Sequence, residues 1–267
     1  MEFPHGDRAL KFDETQRKVR VPGVGVVKLR KGRSVPTFGR AWIVRKNARW
    51  YACFECERTA QASVDRVDGV MGIDRGVHVL AATSDGRLFP NLRPLERSLA
   101  LLKGLQKSVS RKKRGGKNRR KAVGLLARMH ERIANIRRDA LHKISRKIVD
   151  TAPSVIGFED LRVTAMTRSA KGTVEAPGRN VRAKSGLNRV VLDASFGLLR
   201  QMTESKAEEA GIAVVAVDPR YSSQTCSRCG HRAAESRRRR FRVASQAFES
   251  ANSALKRLPD RRTPYAR

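Results

Sequence analysis

No run of about 18 apolar residues occurs in this chain, so no segment has the composition needed to cross a bilayer as a helix. The opening Met1-Glu2-Phe3-Pro4-His5-Gly6 lacks the basic and apolar regions of a secretory signal, so the protein is expected in the cytoplasm. Acids are scarce as well. Against 25 Asp and Glu stand 58 Lys and Arg, a net charge of +33 over 267 residues. An excess of that size calls for a polyanion, because Lys and Arg that neutralise phosphates gain from counterion release; a membrane surface is the weaker candidate. Cysteine is also sparse. The four cysteines form two C-x-x-C pairs, Cys53/Cys56 and Cys226/Cys229, which in a reducing compartment favour metal binding over disulfides. With 40% hydrophobic and 31% charged residues the chain can still bury the core of one large domain with one or two small attachments.

Residues 1 to about 65 lack helical periodicity and are punctuated by Pro and Gly, with β-branched stretches such as Val24-Gly25-Val26-Val27 and Ile43-Val44. They are expected to form short strands of a small β-domain. From Val70 the pattern changes. Val70-Met71-Gly72-Ile73-Asp74 reads as a buried strand ending in an acid, Gly76 permits a tight turn, and strands at Val77–Ala82 and Arg87–Phe89 complete an antiparallel meander. Leu95, Leu99, Leu102, Leu105 and Val109 recur at helical spacing, as do Leu126, Met129, Ile133, Ile136, Ala140, Ile144 and Ile148. The segment between these two helices, Arg111 to Lys121, is a glycine-broken basic turn suited to a helical hairpin. A strand at Ser154–Phe158 ends at Glu159, a polar loop covers residues 168–186, a helix runs from Leu187 to Ala210 with Gly211 as its C-cap, and a strand at Ile212–Val217 ends at Asp218. Three strands, helices, strand, helix, strand is the order of an RNase H-like sheet.

Asp74 and Glu159 terminate what read as neighbouring buried strands, and oxygen ligands from two such strands can bracket divalent ions for phosphodiester hydrolysis. Either acid alone could simply close a strand at the surface. Their shared context favours a metal site.

Gly72-Ile73-Asp74-Arg75-Gly76-Val77 with Ser84-Asp85-Gly86, then Phe158-Glu159-Asp160-Leu161-Arg162-Val163, Leu187-Asn188-Arg189, and Val217-Asp218-Pro219-Arg220-Tyr221-Ser222-Ser223-Gln224-Thr225-Cys226-Ser227-Arg228-Cys229-Gly230 together resemble the TnpB proteins of bacterial insertion sequences. The resemblance covers roughly Lys28 to Arg232 in the right order. It implies a RuvC-type, RNase H-like nuclease that uses a guide RNA to find DNA and magnesium to cut it. Asp74 and Glu159 match the first two catalytic acids and would hold Mg²⁺. Cys226 and Cys229 match the first half of a zinc ribbon. The basic turn, with Arg111, Lys112, Lys113, Arg114, Lys117, Arg119 and Arg120, would face nucleic acid.

A structural zinc needs four ligands. Aligned on Phe241 and Phe248, the family pattern places cysteines at Val243 and Gln246 and the third catalytic Asp at Ser253, and none of these side chains can serve. Asp260 follows Pro259 in a basic tail and does not suit the helix that acid needs. Cys53 and Cys56 lie three apart on an expected strand, pointing to opposite faces, and are better read as ordinary thiols; His231 is better read as solvated. The Arg237 to Arg240 run adds charge without an assignable contact.

The expected protein is therefore α/β: residues 1–65 a partial β-barrel (wedge-like) domain, 66–220 a RuvC/RNase H-like mixed sheet with helices and a basic helical hairpin at 95–150, and 221–267 an incomplete zinc ribbon and basic tail. On this resemblance it is expected to start late in the family's plan and to be degenerate at its end. DNA and a guide RNA are the expected partners, without a membrane. RNA-guided, metal-dependent DNA cleavage, impaired by the missing third acid, is the expected function. The alternatives are a guide-RNA or DNA-binding module that cuts nothing, and a nonfunctional transposon remnant.

Overall fold

The computed structural model of the chain describes residues 1–219, apart from 14, 31–33, 36, 48, 58–66 and 152. Cys226, Cys229, His231, the Arg237 to Arg240 run, Ser253 and Asp260 lie outside the described residues. The chain divides into two compact units, one of residues 1–59 with 105–129, the other of 60–104 with the chain from 130 onward.

In the first unit, β1 (Glu2–Phe3), the one-turn helix α1 (Gly6–Ala9), β2 (Lys11–Phe12), β3 (Lys18–Val21), β4 (Gly25–Lys28), β5 (Ala41–Lys46) and β6 (Arg49–Phe54) follow one another. They form two antiparallel sheets of three strands, ordered β1-β5-β6 and β2-β3-β4. Among the described residues neither closes into a barrel; the expectation was of a partial one. Closure demands strands long enough to tilt and stagger around a ring, and these run two to six residues. The sheets share a core instead: buried Leu10, Val19, Val21 and Ala41, with Phe3, Phe12, Leu29, Phe38, Ile43 and Phe54 against them. Phe12, Phe38 and Phe54 pack edge-on or tilted, with ring centroids 4.8 to 5.9 Å apart.

The second unit is built on β7 (Val67–Asp74), β8 (Val79–Thr83), β9 (Leu88–Pro90), β10 (Pro153–Glu159) and β11 (Ala213–Val217), between which come α2 (Pro94–Ser110) and α3 (Lys117–Val149), whose residues 105–110 and 117–129 count with the first unit, and α4 (Val163–Met166), α5 (Val181–Ala194) and α6 (Phe196–Glu209). The five strands make one mixed sheet in the order β11-β10-β7-β8-β9. β7, β8 and β9 are an antiparallel meander, whereas β10 lies parallel to both β7 and β11. The strands thus stand close to where the periodicity predicts them. Gly76 makes the first turn possible, since a Cβ there would meet the Val79 carbonyl oxygen at 2.9 Å.

Parallel strands need covered faces, and the burial follows that rule. Ile73, Ile156 and Phe158 from the sheet, Leu141 and Ile148 from α3, and Phe196 and Leu199 from α6 are sealed in one core. Each such side chain contributes about 1.5–3 kcal/mol relative to exposure. The helix expected over residues 187–210 is two helices, starting at Val181 and broken at Ser195, whose φ of 54° is left-handed. Both halves keep their apolar faces inward, Val191 and Ala194 before the break and Phe196, Leu199 and Ala207 after it. A single-residue break preserves the pattern, which is why periodicity does not reveal it. At the far end Gly211 takes φ 69°; its N–H donates to Glu208 O at 3.0 Å and that of Ile212 to Ala207 O at 2.8 Å. This pair of bonds is a Schellman cap. It turns the chain straight into β11.

Candidate catalytic site

The register of the two central parallel strands decides the geometry. Phe158 of β10 pairs with Ile73 of β7. The next residue on each strand is Glu159 and Asp74, so the two acids stand at the same ends of adjacent strands, whose main chains lie about 4.8 Å apart. Glu159 is 8% exposed and pairs with Val217 of β11, the residue before Asp218. Asp74 is half-buried, and desolvation raises its carboxyl pKa above the ordinary 3.8 against the opposing backbone hydrogen bond and charge of Arg75. A carboxylate kept in a site that disfavours its charge is suited to a cation.

Arg75 is the residue that the motif contained but sequence reasoning did not single out. Its side chain is buried, 6% exposed. The guanidinium donates through Nη1 to the Phe196 carbonyl at 3.0 Å and through Nη2 to the Glu159 carbonyl, and it lies 5.2 Å from the centroid of the Phe158 ring. Arg75 therefore ties the end of β10 and the start of α6 to the end of β7. Burial lowers its pKa, and the nearby charge of Arg200 adds to that.

Asp160 is engaged by a cation of α6. It is 3.3 Å from Arg200 of α6, which also holds Glu204 at 2.6 Å; the Glu204 hydrogen bond is the main reason the Arg200 pKa rises. On α5, Asn188 donates to the Thr167 carbonyl at 2.8 Å and Lys184 to that of Met166 at 2.5 Å, so the Leu187-Asn188-Arg189 motif anchors the loop that follows β10. Asp193, 3% exposed, accepts from the Leu95 and Glu96 N–H groups and pairs with Arg137, joining α5 to the start of α2 and to α3. Burial of an acid on a helix is not visible in its sequence neighbours.

Among the described residues, no group of three or more His, Cys, Asp or Glu side chains converges as a metal site. Asp74 and Glu159 are two oxygen donors, and hard divalent cations prefer such donors. Cys53, on β6, and Cys56, past its end, are free thiols, exposed and half-buried respectively. Residues 111–116 connect α2 to α3, with Gly115 at φ 79°. Arg111, Lys113, Arg114, Lys117 and Arg120 are exposed and Arg119 is half-buried. Lys112 is occupied locally, donating to Ser108 Oγ at 2.8 Å and Ser108 O at 3.2 Å. No helix among the described residues is long and apolar enough to cross a membrane.

Two family models match the chain: "Probable transposase" over residues 53–170, and "Cas12f1-like, TNB domain" over residues 196–251. The first covers Asp74, Glu159 and the basic turn; the second covers both cysteines of the late pair. The chain is 36% identical over 236 residues to the "Putative RNA-guided DNA endonuclease InsQ" of Escherichia coli (strain K12), covering 88% of this chain and 58% of that protein. It is 30% identical over 198 residues to the CRISPR-associated endodeoxyribonuclease Cas12f1 of Sulfoacidibacillus thermotolerans, covering 70% of this chain and 43% of the relative. The chain thus spans about half the length of these curated relatives. Among solved structures, a Cas12f1-sgRNA-target DNA complex shares the fold, with a TM-score of 0.53 and 19% identity over 81% of this chain and 46% of that one. With the motif residues in place on a mixed α/β fold, the chain belongs to the TnpB-like transposase family of bacterial insertion sequences, whose members include RNA-guided DNA endonuclease homologues.

Proposed function

We propose that this chain is the catalytic portion of an RNA-guided, metal-dependent DNA endonuclease working in the cytoplasm, with Asp74 and Glu159 as its first two catalytic acids. The observation that supports this reading is the pairing of Phe158 with Ile73, after which Glu159 and Asp74 follow at the same ends of adjacent strands. The five-strand order, an antiparallel meander extended by two parallel strands, supports a RuvC or RNase H-like sheet over residues 66–220. Residues 1–65 are the wedge-like part, here two open sheets, and residues 221–267 the incomplete ribbon.

Asp74 and Glu159 would hold Mg²⁺, which when bound supplies charge stabilisation to in-line displacement at a phosphodiester. Arg75 fixes the main chain at Glu159, so that this carboxylate starts from one set place. Arg200 engages Asp160. The turn residues Arg111, Lys113, Arg114, Lys117, Arg119 and Arg120, with Lys112 at its base, would contact the phosphates of guide RNA or target DNA without reading sequence. Ser253 stands where the family's third acid is expected, so cleavage is slow. Cys226 and Cys229 supply half of a zinc site and hold that ion weakly.

A magnesium-dependent cleavage assay with supplied guide RNA tests the reading. Slow cutting, abolished in Asp74→Ala and accelerated in Ser253→Asp, is the expected result. Tight RNA and DNA binding with no cutting in any of these variants would leave the binding module as the function; robust cutting indifferent to Asp74→Ala would overturn the assignment of the acids.

A further inference from the structure

We infer that the outer end of the β5–β6 hairpin is a stacking site for an unpaired base of single-stranded nucleic acid, with Trp50 as the platform. The hairpin has two unlike ends. At its inner end Ala41 pairs with Phe54 and Ile43 with Ala52, and Ala41, Ile43 and Phe54 belong to the core of the sheets. At its outer end Arg45 pairs with Trp50 and Lys46 with Arg49. Trp50 is 67% exposed there, and among the described residues its one ring contact is the Arg45 guanidinium, 5.8 Å from its centroid. Val44 and Tyr51, paired on the opposite face, are 47% and 40% exposed.

An indole left in water is a large apolar and π surface that the sheet itself does not use. Its neighbours define what could cover it. Residues 41–54 carry Arg45, Lys46 and Arg49 and no acid, so the partner is anionic. A partner that is anionic along its backbone and offers flat π faces at regular intervals is a nucleic acid strand, and bases stack on aromatic side chains only when they are unpaired. Arg45 adds a cation already stacked on the ring, while Lys46 and Arg49 lie within reach of flanking phosphates. An acidic protein would answer the charge but not the ring. An anionic lipid surface would answer both, yet one indole with three cations provides a single shallow anchor.

This site rests on the nucleic-acid reading above but is separable from it, because the basic turn binds phosphates whether or not a base stacks on Trp50. The chain has two tryptophans, Trp42 and Trp50, so Trp42→Phe leaves Trp50 as the sole reporter. Titration of that variant with 12-nucleotide oligo(U) and oligo(dT), followed in parallel by fluorescence anisotropy of a labelled strand, should quench Trp50 as the strand binds. Trp50→Ala in the otherwise unchanged chain should weaken single-strand affinity by roughly ten-fold, with the salt dependence kept and duplex affinity little altered. Binding with unquenched Trp50, or equal affinity after Trp50→Ala, overturns the stacking site and leaves the nucleic-acid reading intact. Absence of any binding overturns both. Quenching or a blue shift produced by anionic vesicles but not by either oligonucleotide assigns the hairpin to a lipid surface instead. The two oligonucleotides tell whether RNA or DNA is the preferred strand.

Discussion

Arg137 and Asp193 form an ion pair of 2.5 Å between α3 and α5, and Asp193 is almost completely sealed from water. The same carboxylate accepts the Leu95 and Glu96 N–H groups at 3.1 to 3.3 Å, and Arg137 Nε donates to the Asp193 carbonyl at 3.0 Å. One side chain thus serves three helices: it caps α2, where an anion also complements the helix dipole. Removing one partner of a buried pair leaves the other charge uncompensated. Asp193→Ala is therefore expected to destabilise the fold by about 3–5 kcal/mol. Asp193→Asn, which can still accept from the two N–H groups, should cost less. Denaturant unfolding measures both; a destabilisation of under about 1 kcal/mol for the alanine variant would show that the pair is no more than a surface ion pair.

Arg75 is expected to be needed for the site as well as for the fold. Arg75→Lys keeps the charge but cannot reach the Glu159 and Phe196 carbonyls together as the planar guanidinium does. The lost charged hydrogen bonds should cost about 3 kcal/mol by denaturant unfolding. The stabilisation that Mg²⁺ gives to the variant should also fall below that given to the unmodified chain. Equal stabilisation by Mg²⁺ in both would confine Arg75 to a packing role.

Asp74 has a pH signature with a definite sign. Its carboxyl pKa is raised in the folded chain by desolvation, so the unfolded chain releases this proton first. Stability from this group is present below the ordinary 3.8 and is lost as pH rises through the folded value. In divalent-free buffer Asp74→Asn should therefore match the unmodified chain near pH 3.8 and melt higher than it at neutral pH. Each kcal/mol released raises the midpoint by about 2–4 °C in a chain of this size. A lower melting point for the variant at neutral pH would contradict a desolvated Asp74.

Replacing Lys112, Lys113, Lys117 and Arg119 by Gln should weaken binding to RNA and DNA and flatten its salt dependence, leaving sequence preference unchanged. Each phosphate that the variant no longer neutralises should reduce the slope of log K against log salt by about 0.7–0.9. Lys112 should contribute least, because its ammonium already serves Ser108. An unchanged slope in the fourfold variant would make the turn a solvated loop.

The strands, and the positions of Asp74 and Glu159 at their ends, were legible because their signals are local. Apolar runs bounded by Gly76 and by the acids Asp74 and Glu159 mark buried strands wherever the rest of the chain lies. The parts that escaped depend on distant partners. Arg75 reads as one more cation in a chain full of them, and only the approach of Phe196, 121 residues away, makes it a buried clamp. Asp193 reads as a polar helix residue until Arg137 and the start of α2 meet it. The break at Ser195 leaves the apolar spacing intact, and the open sheets of the first unit depend on strand lengths that short β-branched stretches do not fix.

The claim on which the rest stands is that Asp74 and Glu159 form one divalent-cation site. Calorimetric titration of the full chain with Mn²⁺, in the absence of nucleic acid, tests it directly. The account predicts one well-held ion instead of two, because Ser253 supplies neither the ligand nor the charge of a third carboxylate. It also predicts that Asp74→Ala and Glu159→Gln each abolish that binding while both variants remain folded by circular dichroism. Unchanged Mn²⁺ binding in either folded variant would contradict it.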